Sequence, residues 1–402
     1  MSDFHQTGVI TTLHRLVRSN LDQLERELAE YAEVNPIAVV LPCLYSELEG
    51  EAMPRVVTEL AKVGYLQEIV VALGRGATAE FAKAREFFRA LPQPVRVIWI
   101  DSPRVQHLYA LLEEQGLSAG PDGKGRSAWT AYGYVLARRK ASVIALHDCD
   151  ILSYDRELLA RLCYPVANPR LAFEFCKGYY SRVTDRLHGR ATRLLVTPLI
   201  RALQRLVGYQ PFLVYLDSFR YPLAGEFAMQ ADLARVNRIP GDWGLEVGVL
   251  AEVYRNCAMG RICQADLADV YEHKHQVLSA DDPSHGLMRM AVDITKSLLR
   301  TLAEEGVPIS EAVLGSFPVT YLRSAREIMA RYQNDASINS LHFDQHEEGL
   351  AVEAFAAAVR TACREFFEDP EAHLLIPNWN RVLAAIPDFF RQLLMAVEEE
   401  NP

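Results

Sequence analysis

Asp148-Cys149-Asp150 closes the apolar run Ala141-Ser142-Val143-Ile144-Ala145-Leu146, so two carboxylates stand where a buried strand emerges into solvent. Residues two apart in an extended chain face one side, and both carboxylates can therefore address a single ligand at different depths. A hard divalent cation prefers such oxygens, and Mg²⁺ keeps only one or two protein carboxylates while substrate phosphates complete its shell. The triplet points to a nucleotide-diphosphate ligand. The competing reading is a solvated acidic turn or helix cap. What favours the metal is the company: Gly123-Lys124-Gly125 upstream and His273-Lys274-His275 downstream. His147 beside the triplet reads as a packing or hydrogen-bonding residue.

The two histidines lie two apart, and only one need reach an ion, with His273 favoured. A nitrogen added to a carboxylate suits Mn²⁺ better than Mg²⁺, although phosphate oxygens can supply the rest. Gly123-Lys124-Gly125 lacks the first glycine and the following Ser/Thr of a P-loop. It is either a flexible turn or a lysine brought close to a phosphate or uridine ring. Gly74-Arg75-Gly76 lacks the third glycine of a dinucleotide fingerprint and does not follow the first strand.

Between Lys177 and Arg205 the chain is basic against an acidic background, and Arg186, Arg190 and Arg193 would share one face if the segment were helical. Gly189-Arg190-Ala191-Thr192 combines backbone access, a guanidinium fork and a hydroxyl, which suits a phosphorylated or carboxylated acceptor. In Gly241-Asp242-Trp243-Gly244-Leu245-Glu246-Val247-Gly248, two acids open an apolar helix. They serve as caps, or Glu246 takes a sugar hydroxyl.

The elements that must hold these residues alternate. Residues 9–34 read as a helix from apolar positions at intervals of three and four. Strands come next at Ile37–Leu41, Leu66–Ala72, Val95–Ile100 and Ala141–Leu146, separated by helices over 49–63, 77–91 and 127–138. Such a series predicts a mostly parallel α/β sheet covered on both faces, with ligands at the carboxyl ends of the strands. The stretch 165–285 is less regular. From Leu287 the periodicity is helical, over 287–302, 318–332, 348–367 and 379–398.

At 402 residues the chain exceeds one ordinary core, so several substructures are expected. The net charge of −10 argues against general nucleic-acid binding. No apolar run reaches the roughly 18 residues of a membrane span, and the N-terminus lacks a signal pattern, so a cytoplasmic location is expected. Seven dispersed cysteines without a C-x-x-C pair suggest reduced core thiols.

The order of motifs resembles the glucosyl-3-phosphoglycerate synthase family: P-x-L-x-x-E after the first strand, then G-K-G, D-x-D, G-R-x-T, P-L-x-G-E, G-D-W-G-L-E and a histidine. These are retaining glycosyltransferases related to mannosyl-3-phosphoglycerate and mannosylglycerate synthases. The resemblance covers about residues 36 to 285 and implies a GT-A-like nucleotide-sugar-binding fold, flanked by an N-terminal helix (1–35) and a helical C-terminal extension (287–402). Residues 36–165 would be the nucleotide-sugar half and 166–286 the acceptor half.

The resemblance implies a donor site of Pro42, Leu44, Glu47 and Lys124, to which Gly74 and Asp148 are added from their place at the strand ends. It also implies Mg²⁺ or Mn²⁺ held by Asp150 and His273, and an acceptor site of Gly189, Arg190 and Thr192 with Gly225 and Glu226 beside it. Glu246 would lie near the sugar. His275 stands where relatives carry asparagine, so acceptor contacts there are open, and Cys149 replaces a serine. The expected reaction moves glucose from UDP-glucose to the 2-hydroxyl of 3-phosphoglycerate, with Asp150, Glu246 and Arg190 as its principal residues and a homodimer as the expected assembly. A mannosyl donor, a free glycerate acceptor and a non-catalytic nucleotide-sugar sensor are the alternatives.

Overall fold

A computed structural model describes residues 6, 8–17, 20–272, 286–370 and 375–401. Among the described residues, eight strands form one sheet: β1 (Thr11–Leu13), β2 (Ile37–Leu44), β3 (Leu66–Gly74), β4 (Val95–Trp99), β5 (Val143–Leu146), β6 (Phe175–Tyr180), β7 (Phe227–Gln230) and β8 (Ile262–Ala268). Their spatial order is β1-β8-β6-β7-β5-β2-β3-β4. All pairings are parallel except those of β7, which runs antiparallel to β5 and β6. The chain leaves β2 towards β3 and β4, then returns to place β5 on the other side of β2. That reversal opens a crevice at the carboxyl ends of β2 and β5, the usual ligand position of an open α/β sheet.

Alternation along the strands makes two cores. Ile37, Val39, Leu41, Ile69 and Val71 face one layer, with the helices Leu21–Ala32, Ala52–Leu60, Thr78–Phe88 and Arg156–Ala167. Ala38, Val40, Val70, Ala72 and Ile144 face the other, packed against Lys124–Arg138 and the helices beyond residue 286. Both faces are covered, which is why these strands read as continuous apolar runs.

The N-terminal expectation needs correction. Thr11–Leu13 is an edge strand paired with Cys263–Ala265, and the helix begins only at Leu21, where the Asn20 side chain accepts from Gln23 N. Val9, Leu16 and Val17 are exposed, so an apparent helical stripe there carried no buried face. Two other boundaries move. Pro318 lies inside one helix, Glu311–Ile338, and the last expected helix divides into Trp379–Ala385 and Phe389–Glu400 on either side of Pro387.

Candidate active site

Lys124 is the first residue of its helix, and its position there depends on the glycines around it. A Cβ on Gly125 would stand 2.0 Å from the Pro240 carbonyl oxygen, so the helix start packs directly on the 240–241 backbone. The glycines thus serve close packing within the protein. That contact sets Lys124 facing the start of the helix Leu245–Asn256, and its Nζ lies 2.8 Å from Glu246 Oε1 and 2.5 Å from Asp148 Oδ1. Asp242 closes the turn before this helix, accepting from Gly244 N at 2.8 Å, while Glu246 meets the lysine.

Asp148 leaves β5 under Gly225, where a Cβ would sit 2.1 Å from Asp148 Oδ2; only a glycine permits that approach. Burial raises the Asp148 carboxyl even with Lys124 beside it. Burial opposes charge on Lys124 as well, but Asp148 and Glu246 outweigh it and hold the ammonium well above its usual range. Glu246, opposed by burial, is lowered by Lys124 and Lys177. The balance is a partly enclosed ammonium with two carboxylate partners, at the crevice where the sheet reverses.

Pro42 and Leu44 end β2, Glu47 lies in the short helix Tyr45–Leu48 directly after it, and Leu44 pairs with Gly74 at the end of β3. Gly76 N donates to Asp101 Oδ2 (3.2 Å), and Arg75 reaches Asp122 (3.4 Å), next to the lysine loop. The expected donor residues Pro42, Leu44, Glu47 and Gly74 therefore lie together at the carboxyl ends of β2 and β3. Asp150 is half-exposed after β5, beyond Asp148. His273 and His275 lie outside the described residues. The chain leading to them is placed: Leu152 N donates to Glu272 O (2.8 Å), Glu272 N donates to Ser153 Oγ (2.9 Å), and Tyr271 N donates to Ser181 O (3.1 Å).

The donor chemistry fits a hard divalent ion. Among the described residues there is no group of three or more His, Cys, Asp and Glu that could hold a metal. Asp148 is paired to Lys124, and a carboxylate such as that of Asp150 would suit an ion that takes its remaining oxygens from substrate phosphates. His147 is fully buried with neither ring nitrogen hydrogen bonded, its pKa pushed down by burial to about 3. It packs against Tyr154, as a core residue does.

On the acceptor side, Arg186 departs from the one-face expectation: it sits in the loop before the helix and pairs with its neighbour Asp185. Helical structure starts at Arg190 and runs through a π-helical turn over Ala191–Val196, and Arg190 and Arg193 approach a common partner, Glu348. Thr192 is buried and its hydroxyl has no hydrogen-bond partner in the structure. A Cβ on Gly189 would be 3.5 Å from Tyr221 Oη, and Tyr221 packs on Tyr180. Tyr180 and Tyr271 donate to the buried Glu226 at 2.8 and 2.6 Å, and this residue comes directly after Gly225, over Asp148. Burial and nearby Asp148 raise the Glu226 carboxyl. A continuous set of contacts thus joins the arginine loop to the aspartate.

Lys177 on β6 was visible in the sequence only as one of several basic residues. Its ammonium is fully buried without a hydrogen-bond partner, 5.1 Å from the Phe227 ring, and burial pushes its pKa down to about 8. A lysine inside an otherwise apolar strand, Phe175–Tyr180, was the available signal.

No protein-family model matches the chain. It is 49% identical over 401 residues to the glucosyl-3-phosphoglycerate synthase of Persephonella marina, covering 100% of this chain and 99% of that protein. It is 39% identical over 399 residues to the synthase of Methanococcoides burtonii, covering 98% and 97%. Among solved structures, the Mycobacterium tuberculosis glucosyl-3-phosphoglycerate synthase in complex with Mn²⁺, UDP-glucose and phosphoglyceric acid superposes with a TM-score of 0.53 at 22% identity. That match covers 75% of this chain and 89% of the other. The mannosyl-3-phosphoglycerate synthase of Rubrobacter xylanophilus gives 0.53 at 19% identity, over 75% and 83%. These two likenesses establish the fold.

Proposed function

The chain belongs to the glucosyl-3-phosphoglycerate synthase family, and from that premise we propose that it transfers glucose from UDP-glucose to the 2-hydroxyl of 3-phosphoglycerate with retention at the anomeric carbon. The observation that carries the reading is the Lys124 ammonium held between Asp148 and Glu246 at the crevice where the sheet reverses. That crevice is bordered by the donor-side residues Pro42, Leu44, Glu47 and Gly74 and by the acceptor-side Gly225. Lys124 meets the diphosphate, Glu246 orients the sugar, and Arg190 with Thr192 takes the acceptor's anion.

In the reaction the bond from the anomeric carbon to the departing diphosphate oxygen breaks. A bond to the acceptor oxygen forms on the same face, and the hydroxyl proton passes to that diphosphate oxygen. No protein nucleophile is required. A bound Mg²⁺ or Mn²⁺ would be held by Asp150, with His273 as its second ligand, and would neutralise charge on the leaving diphosphate. The hydrogen bonds of Glu272 with Leu152 N and the Ser153 hydroxyl support this pairing, because they tether the residue before His273 to the loop after Asp150.

Asp150→Ala is expected to abolish metal-dependent turnover, by about a thousandfold or more, if the ion supplies several kcal/mol to the transition state. Full metal-dependent activity in that variant would refute the assignment. Assaying nucleotide sugars against 3-phosphoglycerate and glycerate, with products read by mass, tests donor and acceptor together. Among the described residues no helix is long and apolar enough to cross a membrane. The expected homodimer and cytoplasmic location belong to this same proposal, and light scattering of the purified protein tests the dimer.

A further inference from the structure

The acceptor-side arginines are gripped by the C-terminal part of the same chain. Arg190 donates from Nε to Glu348 (2.8 Å) and from Nη2 to Glu347 (3.0 Å). Arg193 donates to both oxygens of Glu348, at 2.9 and 3.3 Å, and to the carbonyls of His188 and Leu187 at 2.8 and 3.2 Å. Glu347 and Glu348 lie in the first turn of the helix Gln345–Glu368, and just before it His342 N donates to Asp185 O (2.8 Å), which fastens the loop before Arg190 to the same region.

The two carboxylates differ in what they can give up. Glu348 is 5% exposed and serves two guanidiniums, so its departure would leave Arg193, itself 7% exposed, without an anion. The Glu347 side chain is 55% exposed and makes one contact to Arg190. An exposed pair of this kind is weak and easily exchanged.

We propose that the helix Gln345–Glu368 is a working part of the acceptor site. Glu348 is a positioning residue that fixes the Arg190 guanidinium, and Glu347 is an internal anion that occupies Arg190 until the acceptor's phosphate or carboxylate displaces it. With Nε committed to Glu348, the two Nη groups form the fork offered to the incoming oxyanion. This rests on the reading that Arg190 binds the acceptor.

Steady-state kinetics of the full-length protein, varying each substrate in turn, tests the proposal. Glu348→Gln is expected to raise KM for 3-phosphoglycerate about tenfold and leave KM for UDP-glucose unchanged, with Glu348→Asp recovering part of the loss. Glu347→Gln is expected to lower KM for 3-phosphoglycerate about two- to fivefold, the size of a weak surface pair removed from competition. Because Glu347 is exposed, this variant keeps its fold and decides the displaced-anion role even where Glu348→Gln does not fold. Arg190→Ala separates the two levels. If it leaves KM for 3-phosphoglycerate unchanged, the acceptor-site reading fails and the inference with it. If it raises that KM while Glu347→Gln and a folded Glu348→Gln both match the wild type, the acceptor site stands and the role given to this helix is overturned. A rise in KM for Glu347→Gln overturns the displaced-anion role.

Discussion

Lys124 does two tasks with one charge, and each stems from its 28% exposure. It is enclosed enough for Asp148 and Glu246 to hold it ionised, and open enough for the proposed contact with a ligand phosphate. Lys124→Met keeps the stem and removes the charge. KM for UDP-glucose is expected to rise about ten- to a hundredfold, the size of one charged hydrogen bond, as measured by donor titration at saturating acceptor. On the other side of the crevice, Arg190→Ala is expected to raise KM for 3-phosphoglycerate by a similar factor and to change KM for glycerate little, because only the former presents a phosphate. Equal losses with both acceptors would move the phosphate site elsewhere. The residue types were legible where spacing alone carries meaning: D-x-D, G-K-G and G-R-x-T are local patterns. Glu226, with its two tyrosine donors, was named only as a neighbour of the acceptor pocket, and nothing in its own sequence shows that Tyr180 and Tyr271 converge on it.

The ends of elements set the chemistry. β5 is short, Val143–Leu146, and the chain beyond it turns at once from apolar to acidic, with His147 as the buried hinge between. Burial holds this imidazole at about 3 against an ordinary 6.5. Above pH 6.5 it is neutral whether the chain is folded or not. Between 6.5 and about 3 the unfolded chain takes up a proton that the folded one refuses, so stability falls as the solution is acidified, by on the order of 5 kcal/mol across that window. His147→Phe removes the titration, and its acid-unfolding midpoint, monitored by circular dichroism, is expected to lie below that of the wild type. An unchanged midpoint would mean that other groups govern acid unfolding. The strand–helix order of the first half was readable because apolar runs and helical stripes are local signals. The N-terminal segment misled because β1 is held by pairing with β8, some 250 residues later in the chain. The π-helical turn at Ala191–Val196 leaves no such stripe and was not foreseen.

At the scale of the whole molecule, the C-terminal helices are structural, whatever the part proposed for Gln345–Glu368. Trp379 stacks on Trp129 with ring centroids 4.0 Å apart, and Trp129 Nε1 donates to the Pro377 carbonyl at 2.9 Å. Glu398 accepts from Tyr134, Arg96 and Arg138 at 2.5, 2.9 and 2.9 Å. The last helices therefore close the face of the sheet beneath which Lys124–Arg138 lies. Trp379→Ala is expected to cost about 3–5 kcal/mol of unfolding free energy, as a large buried ring removed from a packed core does, measured by denaturant unfolding. A loss below about 1 kcal/mol would show the C-terminal region to be an independent appendage. The relatives aligned over nearly the full length share this region, whereas the Mycobacterium tuberculosis sequence aligns over 60% of the chain.

Local sequence carried the α/β class, the parallel strands β2 to β5 and the places where carboxylates, a glycine-flanked lysine and an arginine loop break the apolar pattern. Each of these is written in neighbouring residues, since periodicity and strand ends are local properties. Only the tertiary structure decided the partners. Lys124 meets Glu246 across 122 residues, Arg190 meets Glu348 across 158, and the antiparallel β7 enters between β5 and β6, carrying Gly225 over Asp148. Such pairings arise when separate elements pack against one sheet, and no local spacing encodes which charges will then face each other.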